Sequence, residues 1–126
     1  MTLSNGVILI VDDDPIILEM VSINLKMRGF EIHPFRSGVD ALARYENIQP
    51  DLVILDVMMP ELDGWEICKI IKDSDEFVKV LMLTAKDTEK DKLIGKSILQ
   101  ADDYITKPFD LSQLIDTVKK LMGDRE

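Results

Sequence analysis

Short apolar runs alternate with segments whose apolar positions recur every three or four residues, from one end of the chain to the other. The runs fall at 7–12, 30–34, 51–56, 78–83 and 103–106, and they read as five strands separated by five helices. Strands that alternate with helical patterns in this way argue for βα units laid into a parallel sheet. The first, third and fourth runs are almost wholly apolar, as strands covered on both faces are, so they are expected at the centre of the sheet.

The helices are marked at their starts. Asp14-Pro15 offers a capping carboxylate followed by a proline at the first helical position, Ser37-Gly38 opens the second helix, and Asp110 is expected to cap the last. Gly29 stops the first. In the last helix Leu111, Leu114, Ile115, Val118, Leu121 and Met122 form one stripe at helical spacing, which should seat it on the sheet. Residues 88–99 carry few apolar positions and a central glycine, so that helix is expected to be the one least held by burial.

Composition narrows the class. With 126 residues, 46% hydrophobic and 31% charged, the chain reads as one globular domain over 1–126. The longest apolar run, Val7 to Val11, is far short of a bilayer span, and the first residues do not form a secretory signal, so a cytoplasmic protein is expected. A net charge of -9 argues against nucleic acid or anionic membrane as a direct partner and favours cations and basic surfaces. The single cysteine, Cys68, lies between apolar helical positions and reads as packing.

Candidate chemistry sits at the strand ends. The first run ends on Asp12-Asp13, the third on Asp56, the fourth on Thr84, and the fifth on Lys107-Pro108. In open parallel sheets ligands bind outside the carboxyl ends of the strands, so these side chains should meet in one crevice. Two carboxylates at about 4 Å repel by roughly 4 kcal/mol at an effective dielectric of 20, a penalty that a divalent cation removes. Magnesium takes oxygen ligands and is usually held by one or two carboxylates plus phosphate oxygens. Asp13 and Asp56 fit as direct ligands, Asp12 as a ligand through water, and the backbone carbonyl of Met58 as a further one. Capping alone accounts for Asp14 but not for all three acids at 12–14. With the Thr84 hydroxyl and the Lys107 ammonium, the set describes a pocket for phosphoryl transfer onto a carboxylate oxygen.

The motifs Val-Asp-Asp-Asp-Pro at 11–15, Leu-Asp-Val-Met-Met-Pro-Glu-Leu-Asp-Gly at 55–64, Leu-Thr-Ala-Lys at 83–86 and Asp-Asp-Tyr-Ile-Thr-Lys-Pro-Phe at 102–109 carry a resemblance. The chain resembles the receiver domain of bacterial two-component response regulators over essentially its whole length. The resemblance implies a flavodoxin-like, doubly wound five-stranded parallel sheet of order 2-1-3-4-5 with five helices. It implies Asp56 as the acceptor of a phosphoryl group from a histidine on a partner kinase or phosphotransfer protein, with Mg²⁺ held by Asp12, Asp13, Asp56 and the Met58 carbonyl. Lys107, ahead of a cis proline, matches the family's lysine, and Thr84 with Tyr104 matches its switch pair. The surface formed by the helix over 88–99, the last strand and the last helix would then change shape, and phosphorylation-dependent pairing of two copies is an open expectation, as is a downstream protein or effector domain as recipient of the signal.

One stretch departs from the family pattern. Leu99-Gln100-Ala101-Asp102-Asp103 replaces the usual glycine-alanine turn, and the distance from Thr84 to Tyr104 is one residue longer. Lys86 borders the pocket and reaches either the phosphoryl group or solvent. His33 reads as a surface residue, and Trp65, after Gly64, is either close enough to the acidic loop to report metal binding by fluorescence or simply a packing residue. The competing reading is a magnesium-dependent phosphatase or phosphotransferase of the haloacid dehalogenase kind. Those enzymes place a second aspartate two residues after the nucleophile, where this chain has Met58, so a switch rather than a turnover enzyme is expected. A receiver-like interaction module that no longer takes phosphate is disfavoured by the complete set of acids and lysine.

Overall fold

A computed structural model describes residues 5–57, 59, 64–75, 77–85 and 101–123. Five parallel strands, β1 (Val7–Val11), β2 (Glu31–Phe35), β3 (Leu52–Asp56), β4 (Lys79–Ala85) and β5 (Asp103–Lys107), form one sheet in the order β2-β1-β3-β4-β5. Four helices are described: α1 (Pro15–Lys26), α2 (Gly38–Ile48), α3 (Gly64–Ser74) and α4 (Leu111–Leu121). The helix expected over 88–99 lies outside the described residues, as do Met58 and Lys86.

Alternation along the strands divides the apolar side chains between two cores. Ile8, Ile10, Leu52, Ile54, Leu81, Leu83 and Ile105 pack with Leu18, Val21 and Leu25 of α1 and with Leu114, Ile115 and Val118 of α4. On the opposite face Leu9, Val11, Val53, Leu55, Val80 and Met82 pack with Ala41 of α2 and with Ile67, Cys68 and Ile71 of α3. A strand covered on both faces can be apolar at every position, and β3 is buried throughout. Its partners β1 and β4 make up the rest of the centre, as the apolar runs predict.

Asp14 caps α1, its carboxylate accepting from the Ile16 N–H at 2.9 Å, and Ser37 caps α2, accepting from the Asp40 N–H at 3.3 Å. Asp110 occupies the capping position of α4, but its side chain makes no capping hydrogen bond, contrary to the sequence expectation. Strand β2 continues through His33 and Pro34 to Phe35. An edge strand pairs on one side only and so tolerates proline. Among the described residues no helix is long and apolar enough to cross a membrane.

Candidate functional site

Parallel strands bring their carboxyl ends to one edge of the sheet, and the expected side chains gather there. One carboxylate oxygen from each of Asp12, Asp13 and Asp56 lies within 4.8 Å of the others. Asp12 is fully buried, Asp56 is buried, and Asp13 is exposed, so the cluster opens to solvent on the Asp13 side. Lys107 reaches in from β5 and donates to Asp12 Oδ2 at 2.9 Å, with Asp56 Oδ2 at 3.3 Å. The other oxygen of Asp12 accepts from the Asp14 N–H at 2.9 Å. Asp12 thus has both oxygens engaged by protein groups, which leaves it the less available acid for direct contact with an added ion.

Burial acts to lower the pKa of Lys107. The hydrogen bond to Asp12 and the charges of Asp12 and Asp56 outweigh it and hold the ammonium above the ordinary lysine range. Three carboxyls against one ammonium is still an excess of acid in a largely water-excluded corner. All available side-chain donors in the cluster are oxygens, which is the set that magnesium prefers, so the residues fit that ion.

Thr84 stands one residue beyond Leu83, the register partner of Asp56. It is fully buried, and its Oγ1 has no hydrogen-bond partner among the described residues. A buried hydroxyl without an acceptor costs free energy, and such an exception to normal pairing calls for an explanation. The Lys107-Pro108 peptide bond is cis, as the resemblance implies.

Two contributors escaped the sequence reading. Arg36 follows β2 directly, and its guanidinium donates to the Asp13 carbonyl at 3.4 Å. It belongs to the same set of strand ends, and the signal for it was its place two residues past the second run. Gly64 is the other. A Cβ there would lie 2.5 Å from the Asp56 carbonyl oxygen and 2.8 Å from Val57 Cα, so α3 can start against the end of β3 only with glycine. The Gly64 N–H closes that approach by donating to the Val57 carbonyl at 2.9 Å.

Tyr104 is half-buried on β5 and meets Trp65 of α3 with ring centroids 6.0 Å apart, tilted by 60°. Cys68 is fully buried, and burial pushes its thiol up to about 11, in keeping with a packing role. His33 is partly exposed on β2 and bonds to Glu31 at 2.7 Å, away from the acidic cluster.

A model of the response regulator receiver domain matches residues 8–119. The chain belongs to the response regulator receiver domain family. The alkaline phosphatase synthesis transcriptional regulatory protein PhoP of Bacillus subtilis is 42% identical over 122 residues, covering 97% of this chain and 50% of that protein. This receiver domain therefore spans about half the length of the curated relatives it matches. A solved CheY-like receiver domain protein from Methanospirillum hungatei superposes with a TM-score of 0.89 at 27% identity, covering 98% of this chain and 97% of that one. The response regulator TrrA of Thermotoga maritima, solved in complex with Mg(2+)-BeF, superposes with a TM-score of 0.81 at 36% identity, covering 91% and 97%. Receiver domains are phosphorylation-activated signalling switches that bind magnesium at a cluster of aspartates, and the cluster here is Asp12, Asp13 and Asp56.

Proposed function

We propose that Asp56 is the phosphoacceptor of this receiver domain, and that residues 1–126 work as one cytoplasmic switch that takes its phosphoryl group from a histidine kinase or histidine phosphotransfer protein. The observation that carries the reading is the position of Asp56: at the end of the central strand, among Asp12 and Asp13, with Lys107 at 3.3 Å. An oxygen of Asp56 forms the new P–O bond while the P–N bond of the donor phosphohistidine breaks and its electron pair returns to the imidazole nitrogen. Asp13 and Asp56 would hold magnesium directly and Asp12 through water, with the Met58 carbonyl as the backbone ligand that the family resemblance implies. When bound, the ion neutralises charge on the phosphoryl oxygens and so eases their approach to a carboxylate.

The protein's own groups do the rest. Lys107, poised between Asp12 and Asp56, turns to a phosphoryl oxygen once Asp56 is esterified and has lost its charge. The Thr84 hydroxyl, buried without an acceptor among the described residues, gains one in the same oxygens. Tyr104 then occupies the space that Thr84 vacates, which alters the surface around β5 and α4 and is read by a downstream protein or effector domain. Later hydrolysis of the acyl phosphate by water resets the domain without a second protein.

The donor's docking surface follows from α1. Ile16, Met20, Ile23 and Met27 are exposed at spacings of four, three and four, which forms an apolar stripe on a helix that begins directly beside Asp13. A helical partner laid along that stripe would bring its histidine to the open side of the cluster.

Labelling with a small phosphodonor tests the acceptor. With Mg²⁺, acetyl phosphate should add one phosphoryl group per chain, and Asp56→Asn should take none. Repeated release of product from varied phosphate esters would instead support a phosphatase. The chain has Met58 where that class needs a second aspartate, so this outcome is disfavoured.

A further inference from the structure

The face of α3 turned toward β5 carries Trp65, Cys68 and Lys72, spaced three and four residues apart. Its two ends make different kinds of contact. At the far end from the acidic cluster, Lys72 Nζ donates to the Val78 carbonyl at 2.6 Å and to Asp102 Oδ2 at 2.8 Å, and that same oxygen accepts from the Val80 N–H at 2.8 Å. Both members of the ion pair are largely shielded from solvent, so the residue that leads into β5 is tied to α3 and to the start of β4 at once. Register with β4 then runs unbroken from Leu81↔Asp103 to Ala85↔Lys107. The backbone of Tyr104 is fixed by these bonds, and a change of state there is a matter of its side chain.

At the near end the contact is aromatic. Trp65 and Tyr104 both lie partly buried against the core that α2 and α3 cover. Met82 is the register partner of Tyr104 and Thr84 that of Thr106, so by strand alternation Thr84 and Tyr104 project to the same face of the sheet. Space released by Thr84 therefore opens on the side where the Tyr104 ring lies. If the ring turns into that space and away from α3, it leaves the indole.

We propose that Trp65 is a positioning residue of the switch: its indole holds the Tyr104 ring in the unphosphorylated arrangement and biases the domain toward it. This inference rests on the phosphoacceptor reading above. A tilted aromatic pair stabilises the state that contains it, and a contact present in only one of two states shifts their ratio by its full effect. Loss of the indole should move the equilibrium about 2- to 10-fold toward the phosphorylated arrangement, the range expected of one such pair.

A double-mutant cycle tests it, with beryllofluoride and saturating Mg²⁺ as the phosphoryl mimic and ¹⁹F resonances of the bound form as readout. Trp65→Leu should bind beryllofluoride about 2- to 10-fold more tightly than wild type, with Trp65→Phe in between. In the Tyr104→Ala background the same replacement should have no effect. An equal gain in both backgrounds, or no gain in a chain that still unfolds cooperatively, overturns the proposal, because a purely structural indole would act without Tyr104. Should Trp65→Leu fail to fold, the sole tryptophan supplies the second measurement. Its emission should change on adding beryllofluoride to wild type and lose most of that change in Tyr104→Leu, and an equal change in both overturns the proposal. A wild-type chain that binds no beryllofluoride overturns the phosphoacceptor reading itself, and the role of Trp65 falls with it.

Discussion

Lys107 stands between two acids that reach it from different strand ends, 2.9 Å from Asp12 Oδ2 and 3.3 Å from Asp56 Oδ2. The ammonium therefore has a structural task before any phosphoryl group arrives, since it offsets repulsion between two buried carboxyls. Removing one partner of a buried ion pair leaves the other uncompensated, whereas removing a surplus like charge relieves it.

Lys107→Met should accordingly destabilise the metal-free domain by about 3 kcal/mol, at the low end for a buried pair because the ammonium is partly exposed. Asp56→Asn should leave it as stable as wild type or more so. Magnesium should restore part of the loss in Lys107→Met and stabilise wild type, by about 2.7 kcal/mol at a hundredfold excess over its dissociation constant. Urea denaturation in EDTA and in Mg²⁺ measures all three. Equal stability of Lys107→Met and wild type in EDTA would contradict the account.

Gly64 sets a second limit. In Gly64→Ala the new methyl would have to displace the backbone of Asp56 or Val57, neither of which is a flexible side chain. A loss of roughly 1–3 kcal/mol is expected for overpacking, together with slower labelling at the proposed acceptor Asp56 by acetyl phosphate, because the start of α3 must back away from β3. Denaturation curves and labelling rates that match wild type would rule out the close approach.

The apolar stripe on α1 predicts a separation of donors. Ile16→Glu or Ile23→Glu should slow transfer from a histidine kinase that phosphorylates the wild-type chain by about tenfold or more, the effect of losing one well-buried interface anchor. Labelling by acetyl phosphate should be unchanged, since that donor needs no docking surface. Equal slowing with both donors would place the effect in the pocket instead of on the helix.

Raised pKa values give a pH dependence with one sign. Burial pushes the Cys68 thiol from 9.0 to about 11, with the charge of Lys72 opposing and that of Asp102 adding. Burial, helped by the Cys68 and Asp103 charges, pushes Tyr104 from 10.0 to about 12, and burial with the charge and hydrogen bond of Asp75 raises Tyr45 further. Lys107 is raised as well, the acids outweighing burial. In each case the folded chain keeps a proton that the unfolded chain releases, so stability falls as pH rises above about 9, by at most 1.36 kcal/mol per pH unit for the fully buried Cys68 and by less for the solvent-screened tyrosines and Lys107. Cys68, being fully buried, should give the clearest share: Cys68→Ala should flatten the decline between pH 9 and 11, measured by denaturation across that range.

Apolar periodicity alone locates all five strands to within about two residues at each end and ranks β1, β3 and β4 as central, because burial on both faces leaves no polar positions to blur the signal. Strand β4 ends two residues later than its apolar run, at Ala85, and β2 one residue later, at Phe35. His33 and Pro34 look like a strand end, yet the ladder runs past them on the free edge. The acidic cluster was legible for a topological reason, since residues at the carboxyl ends of parallel strands must converge whatever the exact register. What was not legible depended on contacts between distant segments. Nothing local in Gly64 tells how near α3 comes to Asp56, nor in Lys72 that Asp102, thirty residues away, is its partner. Asp110 shows the opposite failure, a good capping residue whose carboxylate makes no cap bond.

Strand β3 has a neighbour on each side and five consecutive buried residues, the last of them Asp56. A group attached to Asp56, as proposed, would meet the part of the sheet with the least slack, so β3 itself would have little scope to yield. What such a modification does would then be expressed outward, toward β5, which pairs with a strand on one flank only among the described residues. On the proposed reading, memory and motion would fall to different strands: the middle keeps the mark, and the rim displays it.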